Sequence, residues 1–268
     1  MCGIVGLFDT RGKRPIDRQL LLGMNQVQVH RGPDEGEVHI EPGLGFGHRR
    51  LSIMDVSSGQ QPLFNEDGSV VVVFNGEIYN FETLAKELSS LGHTFRTHCD
   101  TEVIVHAWEE WGERCVNRFR GMFAFALWDR NQEVLFLARD RLGIKPLYYS
   151  LLDDGTFIFA SELKGVLAHP GFIRDMDVHA IEDYFAYGYV PEPKTIFKQA
   201  YKLPPAHTLK LNRARTVPQP QSYWDVPFTM HPPLSLEEAR EELIVRLRES
   251  VRVHLMTEVP LGAFLSGG

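Results

Sequence analysis

At 268 residues, with 43% hydrophobic and 24% charged side chains, the chain can hold one large domain, or a domain plus part of another; its composition excludes a fibrous or disordered class. A formal charge of −7 without any Lys/Arg cluster excludes a surface built mainly for nucleic acid or anionic lipid. No apolar run approaches the roughly 20 residues of a membrane helix, and the first residues lack the basic start and apolar stretch of a secretory signal, so a cytoplasmic chain is expected.

Along the chain, CGIVGLF (2–8), LGFGHRRLSI (44–53) and VVVVF (70–74) read as strands bounded by Gly, Asn and charged residues. FETLAKELSSLG follows as a helix with Leu84, Leu88 and Leu91 on one face and Gly92 as its stop. TEVIVHAWEEWG repeats that pattern, with Val103, Ile104, Ala107, Trp108 and Trp111 inward and Gly112 ending it. MFAFALWD, EVLFLARD, LYYS and TFIFA then read as strands joined by hairpin turns at Asp129 to Gln132 and Asp153 to Gly155, and VHAIEDYFAYG (178–188) as a third helix. Strands, a helix pair and more strands predict an α+β sandwich rather than βαβ units.

From Arg213 to Pro233 prolines accumulate and helical periodicity stops, so 213–234 reads as a linker after a first domain at 2–212. Ser235 and Glu238 occupy capping-box positions ahead of a helix whose stripe is Leu236, Ala239, Leu243, Leu247 and Val251. VPLGAFL reads as a strand leading into SGG, where a helix normally follows; the expectation is a second domain, 235–268, cut short.

Chemistry begins at position 2. A small residue there permits removal of Met1, which leaves Cys2 as the amino terminus. An α-amino group with an ordinary pKa of about 7.7–8.0 can take the proton of a thiol near 8.5, so one residue supplies nucleophile and base. Cys2 also reads as a small buried side chain opening a strand. The three cysteines, Cys2, Cys99 and Cys115, have no CxxC spacing, which fits a reducing compartment. Among eleven histidines, His98 beside Cys99 is the nearest approach to a ligand pair, and no metal site is expected.

A thiolate attacking a carbonyl needs donors where the oxyanion develops. Asn75 and Gly76, after VVVVF, offer a carboxamide and an approachable N–H; Asn-Gly is equally the signal of a hairpin turn. A free amino acid would call for Arg50 at its carboxylate and for Asp100, with Glu77 near, at its ammonium. Alternatively Arg50 is a surface cation and Asp100 the N-cap of the helix that follows.

Together MCGIVG, HRGPDEG, GHRRLSI, NGEIYN, the DTEV segment, GMFAFALWD and RDRLGIKPLYY resemble class II glutamine amidotransferase domains over residues 2–165. SELKGVL, the linker and HLMTEVPLGAFLSGG are similar to glutamine-hydrolysing asparagine synthetases. The resemblance implies a four-layer αββα sandwich of the N-terminal nucleophile hydrolase type, followed by the incomplete start of an α/β ATP-pyrophosphatase domain. It implies Cys2 as the nucleophile forming a γ-glutamyl thioester, Asn75 and Gly76 as the oxyanion hole, Arg50 on the carboxylate of L-glutamine, and Glu77 and Asp100 on its amino group. Backbone at Leu51, Ser52, Ile53 and Met54 would line the pocket, and His30 to Asp34 would shape its loop.

The glutaminase would need no cofactor. Leu265, Ser266, Gly267 and Gly268 resemble the start of a nucleotide site, where the family uses ATP and Mg2+ to activate aspartate for asparagine synthesis; a homodimer is compatible with it. The chain stops before that loop is complete, and Cys99 stands where a small polar residue is expected. Two rivals stay open: an amidotransferase serving another acceptor, such as a polymer or peptide-like metabolite, and a non-catalytic glutamine-binding module.

Overall fold

The β-rich runs become strands because both of their faces can be buried, and the amphipathic runs between them become helices that cover one sheet. The structure, a computed structural model, describes residues 2–53, 55, 58–213, 219–228, 234–265 and 267. In chain order its elements are β1 (Gly3–Asp9), α1 (Arg18–Gln26), β2 (Glu35–Glu41), β3 (Leu44–Arg50), β4 (Leu63–Phe64), β5 (Val70–Ile78), α2 (Phe81–Ser90) and α3 (Glu102–Trp111). After a 3₁₀ turn come β6 (Gly121–Asp129), β7 (Val134–Arg139), β8 (Tyr148–Leu151), β9 (Thr156–Ala160), α4 (Leu163–Leu167) and α5 (Val178–Tyr187). The last are β10 (Ala200–Lys202), β11 (His207–Leu211), β12 (Gln221–Ser222) and α6 (Leu236–His254).

The strands form two antiparallel six-stranded sheets, ordered β10-β8-β9-β1-β3-β2 and β12-β11-β7-β6-β5-β4. Between them lies an apolar layer that takes Ile4, Phe8, Phe46 and Phe159 from the first sheet and Val71, Val73, Ala124 and Leu137 from the second. Leu21, Met24 and Val166 of α1 and α4 close the outer face of the first sheet. Leu84, Leu88, Val103, Ala107 and Trp108 of α2 and α3 close the outer face of the second against Val72, Phe74 and Phe125. The order is helices, sheet, sheet, helices: the expected αββα sandwich. Strands buried on both faces explain the unbroken apolar runs in β5, β6 and β7.

Asn75 and Gly76 do not turn the chain; β5 runs through them to Ile78. A Cβ on Gly76 would lie 2.3 Å from Met122 O, so glycine is what lets β5 and β6 lie this close. Leu91 does not join the stripe of Leu84 and Leu88: α2 has ended at Ser90, the chain turns at Gly92 with φ +107°, and Leu91 is 51% exposed.

No strand forms at 259–265, where no neighbouring strand among the described residues takes the backbone hydrogen bonds, and Phe264 and Leu265 are exposed. The capping box of Ser235 and Glu238 is formed, but the stripe of α6 lies on the surface. The helix touches the sandwich through Arg120 and Glu249, 2.6 Å apart, and through the rings of Tyr79 and His254, tilted at 44° with centroids 4.4 Å apart. Among the described residues no helix is long and apolar enough to cross a membrane.

Removing the Leu88 side chain, fully buried under the second sheet, should cost about 2–5 kcal/mol as Leu88→Ala, whereas Leu91→Ala should stay within about 0.5 kcal/mol. Urea unfolding midpoints of the two variants check the contrast.

Candidate active site

Cys2 immediately precedes β1, whose first residue Gly3 pairs with Arg49 of β3. That pairing sets the thiol beside the end of β3, where Leu51 N–H points at Cys2 Sγ at 3.5 Å. Arg31 Nε donates to Cys2 O at 2.9 Å and Arg31 Nη1 to Glu162 at 3.1 Å, which fixes the backbone carrying the sulfur. His30 meets Glu162 at 2.9 Å, and His30, Arg31 and Lys164 hold the half-exposed Glu162 carboxyl down to about 2 although burial opposes them. Gly32 lets the His30 to Asp34 loop lie flush on the end of β3, since a Cβ there would come 2.3 Å from the Arg49 carbonyl carbon. Asp34 closes the loop by accepting Ser52 N–H at 2.8 Å. Burial pushes the Cys2 thiol up; the Leu51 N–H and Arg50 partly offset this, and Glu77 adds to it.

Facing the sulfur is the far end of β5. β4 covers β5 only at Val71 and Val72. Beyond it, the residues whose N–H groups point away from β6 must find other acceptors. Phe74 N–H finds Gln61 Oε1 at 2.7 Å, and Ile78 N–H finds Asp100 Oδ2 at 2.8 Å. Gly76 lies between them. Its partner across β6 is Phe123, whose N–H and C=O both engage Asp140, so Gly76 and Phe123 form a non-hydrogen-bonded pair. The Gly76 N–H therefore points off the open edge. Asn75 takes the opposite face, the one Val71 and Val73 turn to the other sheet. Its Nδ2 and Oδ1 are buried with no hydrogen-bond partner among the described residues, which costs about 1–3 kcal/mol until something is bound there.

Arg50 ends β3 and is buried, not a surface cation. Its Nη1 lies 3.3 Å from a Glu35 carboxylate oxygen and its Nη2 donates to Asp55 O at 2.6 Å. The fit is tight, since a Cβ on Gly59 would sit 2.7 Å from Nη2. Asp100 is not spent as a helix cap either: Thr101 holds that position for α3, while the Asp100 carboxylate receives Ile78 N–H. Burial pushes both Glu77 and Asp100 up, and the Asp100 charge raises Glu77 further. Lys145, itself buried and held low by that burial, opposes the rise of Glu77.

Cys2, Arg50, Leu51, Ile53, Gly76, Glu77 and Asp100 line one cavity of about 30 Å3, roughly two water molecules' worth of room, so its walls must part to admit an amino acid. Ser52 and Asn75 are next to lining residues in sequence and are not themselves among its lining, Met54 lies outside the described residues, and Cys99 reaches the cavity with a thiol that burial pushes far up. A larger space of about 550 Å3 between α2 and the 95–99 segment is lined by Phe81, Ala85, Phe95 and Val103, and no set of nucleophile, donors and paired charges converges on it. Leu265 and Gly267 are exposed and stand apart from the cavity; Ser266 and Gly268 lie outside the described residues.

Glu35, His48, Gly59, Gln61, Lys145 and Glu162 carry no signal in the sequence, because each matters only through a partner far along the chain. His48 Nε2 donates to Phe74 O at 3.1 Å across the sandwich, and burial holds its pKa down to about 3, so the ring is neutral.

The model of the glutamine amidotransferase domain family matches residues 1–224. Asparagine synthetase [glutamine-hydrolyzing] 1 of Bacillus subtilis (strain 168) is 39% identical to the chain, covering all of it and 42% of the relative. Asparagine synthetase [glutamine-hydrolyzing] 3 of the same organism is 36% identical, covering all of the chain and 44% of the relative. The chain thus spans less than half the length of either. Among solved structures, the glutamine phosphoribosylpyrophosphate amidotransferase from B. subtilis superposes with a TM-score of 0.58 over 83% of this chain and 49% of that one. At 19% identity that likeness is one of fold.

Two raised carboxyls have a cost that depends on pH. Below about 4, the ordinary carboxyl range, both Glu77 and Asp100 are protonated folded or unfolded. As pH rises through their raised folded values the unfolded chain sheds protons first, so stability falls. Glu77→Gln should flatten that fall; melting temperatures of both proteins from pH 5 to pH 9 check it.

Proposed function

The chain belongs to the glutamine amidotransferase domain family, and we propose that its cavity hydrolyses L-glutamine to glutamate and ammonia with Cys2 as nucleophile. With Met1 removed, the free α-amino group of Cys2 takes the thiol proton, and the thiolate attacks the side-chain amide carbon. The oxyanion is received by the Gly76 N–H and the Asn75 Nδ2, two donors with no acceptor among the described residues. The proton held by the amine passes to the departing nitrogen, ammonia leaves, and a γ-glutamyl thioester remains. Water then attacks the thioester, giving glutamate and the free thiol.

Recognition of the amino-acid end follows from charge. Arg50, pre-set by Glu35 and by Asp55 O, meets the α-carboxylate, with Leu51 and Ile53 as flanking wall. Glu77 and Asp100 meet the α-ammonium. The observation that carries this reading is that raised pair: two buried carboxyls short of positive charge, in one cavity with a thiol and an uncommitted strand-edge N–H. An ammonium group supplies the missing charge.

Relatives at 36–39% identity named as glutamine-hydrolysing asparagine synthetases support a wider reading. In it, residues 2–212 form the glutaminase and 213–234 connect it to the start of a synthetase domain at 235–268. The ammonia then serves ATP- and Mg2+-dependent conversion of aspartate to asparagine in a longer protein, with Leu265 to Gly268 opening its nucleotide site. The family match runs to residue 224, and the edge strand β12 at 221–222 pairs with β11. Three free cysteines fit a cytoplasmic enzyme.

Cys2→Ala should abolish ammonia release from glutamine while the circular dichroism spectrum persists; release at the wild-type rate would exclude the thioester route. Intact mass of the active protein should show Met1 absent. Because the ammonium binds the deprotonated carboxyl pair, glutamine affinity should weaken as pH falls through the raised values of Glu77 and Asp100. Calorimetry of the Cys2→Ala protein in buffers of different ionisation enthalpy should then register proton release on binding, and Asp100→Asn should diminish both affinity and release.

A further inference from the structure

On the opposite side of α3 from its start at the cavity, four side chains from three separate segments converge. Glu66 stands in the turn after β4, His93 follows the Gly92 that ends α2, and His106 and Glu109 lie one turn apart on α3. One donor atom from each falls within 4.8 Å of all the others. His106 Nδ1 is 3.4 Å from Glu66 Oε2 and 3.5 Å from Glu109 Oε2; His93 Nδ1 is 3.8 Å from Glu66 Oε1 and from Glu109 Oε2. Tetrahedral zinc with bonds of about 2.0–2.2 Å has ligand-to-ligand edges of about 3.3–3.6 Å. The four imidazole-to-carboxylate separations, 3.4–3.8 Å and reaching both oxygens of Glu66, lie close to those edges.

We propose that Glu66, His93, His106 and Glu109 form a structural site for one divalent transition-metal ion of the zinc type. The His106 ring is fully buried, yet neither of its nitrogens makes a hydrogen bond, so a buried polar group is left aimed into the cluster. Each ring turns Nδ1 to the centre and Nε2 to a further carboxylate: His106 to Glu102 at 3.5 Å, His93 to Glu110 at 3.7 Å. Metal-binding histidines are commonly oriented by such an outer carboxylate. The two ligand carboxylates are anchored as well, Glu66 by Thr94 N–H and Glu109 by Asn65 Nδ2, both at 2.8 Å.

Two carboxylates balance a double positive charge, and mixed imidazole and carboxylate donors suit zinc better than magnesium or calcium. Their side chains, 32% and 29% exposed, leave the ion a way in. Bound there, it ties the turn after β4 and the end of α2 to α3, the helix that begins just past Asp100. The rival occupant is a proton, held as an imidazolium at His106 among the same carboxylates; that state takes up no zinc.

The test uses the full 268-residue chain, stripped with a chelator, dialysed and titrated with Zn2+ by calorimetry, and separately loaded with Co2+. One Zn2+ per chain, a higher melting temperature with Zn2+ than with chelator, and the intense visible absorption of tetrahedral cobalt are expected. His106 is in the core, so the variant of choice is His93→Ala at the rim. With its circular dichroism spectrum preserved, it should weaken Zn2+ binding by more than a hundredfold. Glu110→Gln, which alters only an outer partner, should weaken it about tenfold. Failure of the folded chain to take up Zn2+, an octahedral cobalt spectrum, or unchanged binding by His93→Ala would overturn the proposal.

Discussion

A two-residue strand governs this molecule. Because β4 ends at Phe64 and covers β5 only at Val71 and Val72, the far half of β5 is an open sheet edge inside the protein. An open edge presents a row of N–H groups that burial makes expensive to leave unpaired. Side chains take up two of them, Gln61 at Phe74 and Asp100 at Ile78, and those same residues build the walls of the cavity. What remains is one N–H at a glycine, facing the sulfur that the other sheet brings to its own margin. The β1–β3 register sets Cys2, the sandwich sets the distance between sheets, and the reactive corner is where the two meet.

The cavity's electrostatics follow from the same burial. A thiol, a carboxyl pair and an asparagine amide are all withdrawn from water, and each is left short of what it needs: a base, a cation, an acceptor for its N–H. The guanidinium of Arg50 is treated differently. Glu35 and the Asp55 carbonyl hold it in place beforehand, so little rotamer freedom remains to be lost when a carboxylate arrives. Unmet demands on one side and a pre-set clamp on the other give the cavity a charge pattern complementary to a zwitterion.

Much of this was legible in the sequence because the signals are local. Unbroken apolar runs became the doubly covered strands β5, β6 and β7, and the stripes of α2 and α3 became the helical layer above them. Cys2, Arg50, Gly76, Glu77 and Asp100, named from chemistry and resemblance, do meet in one cavity. The misreadings have physical causes. Of the two readings open for Asn-Gly, a turn needs a chain free to turn, and strand pairing with Ala124 and Phe123 leaves it none. The run at 259–265 has strand composition without a neighbour to pair with. β2, EGEVHIE, is an edge strand with a polar face and so lacked an apolar signature. Glu162 beneath Arg31, and the four residues spread from 66 to 109, are joined only by tertiary contact, which no local spacing announces.

The bond from His48 to Phe74 O has a consequence for the architecture as a whole. It bridges the two sheets beside their apolar layer, and burial keeps its imidazole in the neutral, singly protonated form. Folding holds that ring's pKa at about 3 where the free side chain would sit at 6.5, so in acid the unwound chain accepts a proton that the sandwich refuses. Each downward step across that interval tilts the balance towards parting the layers.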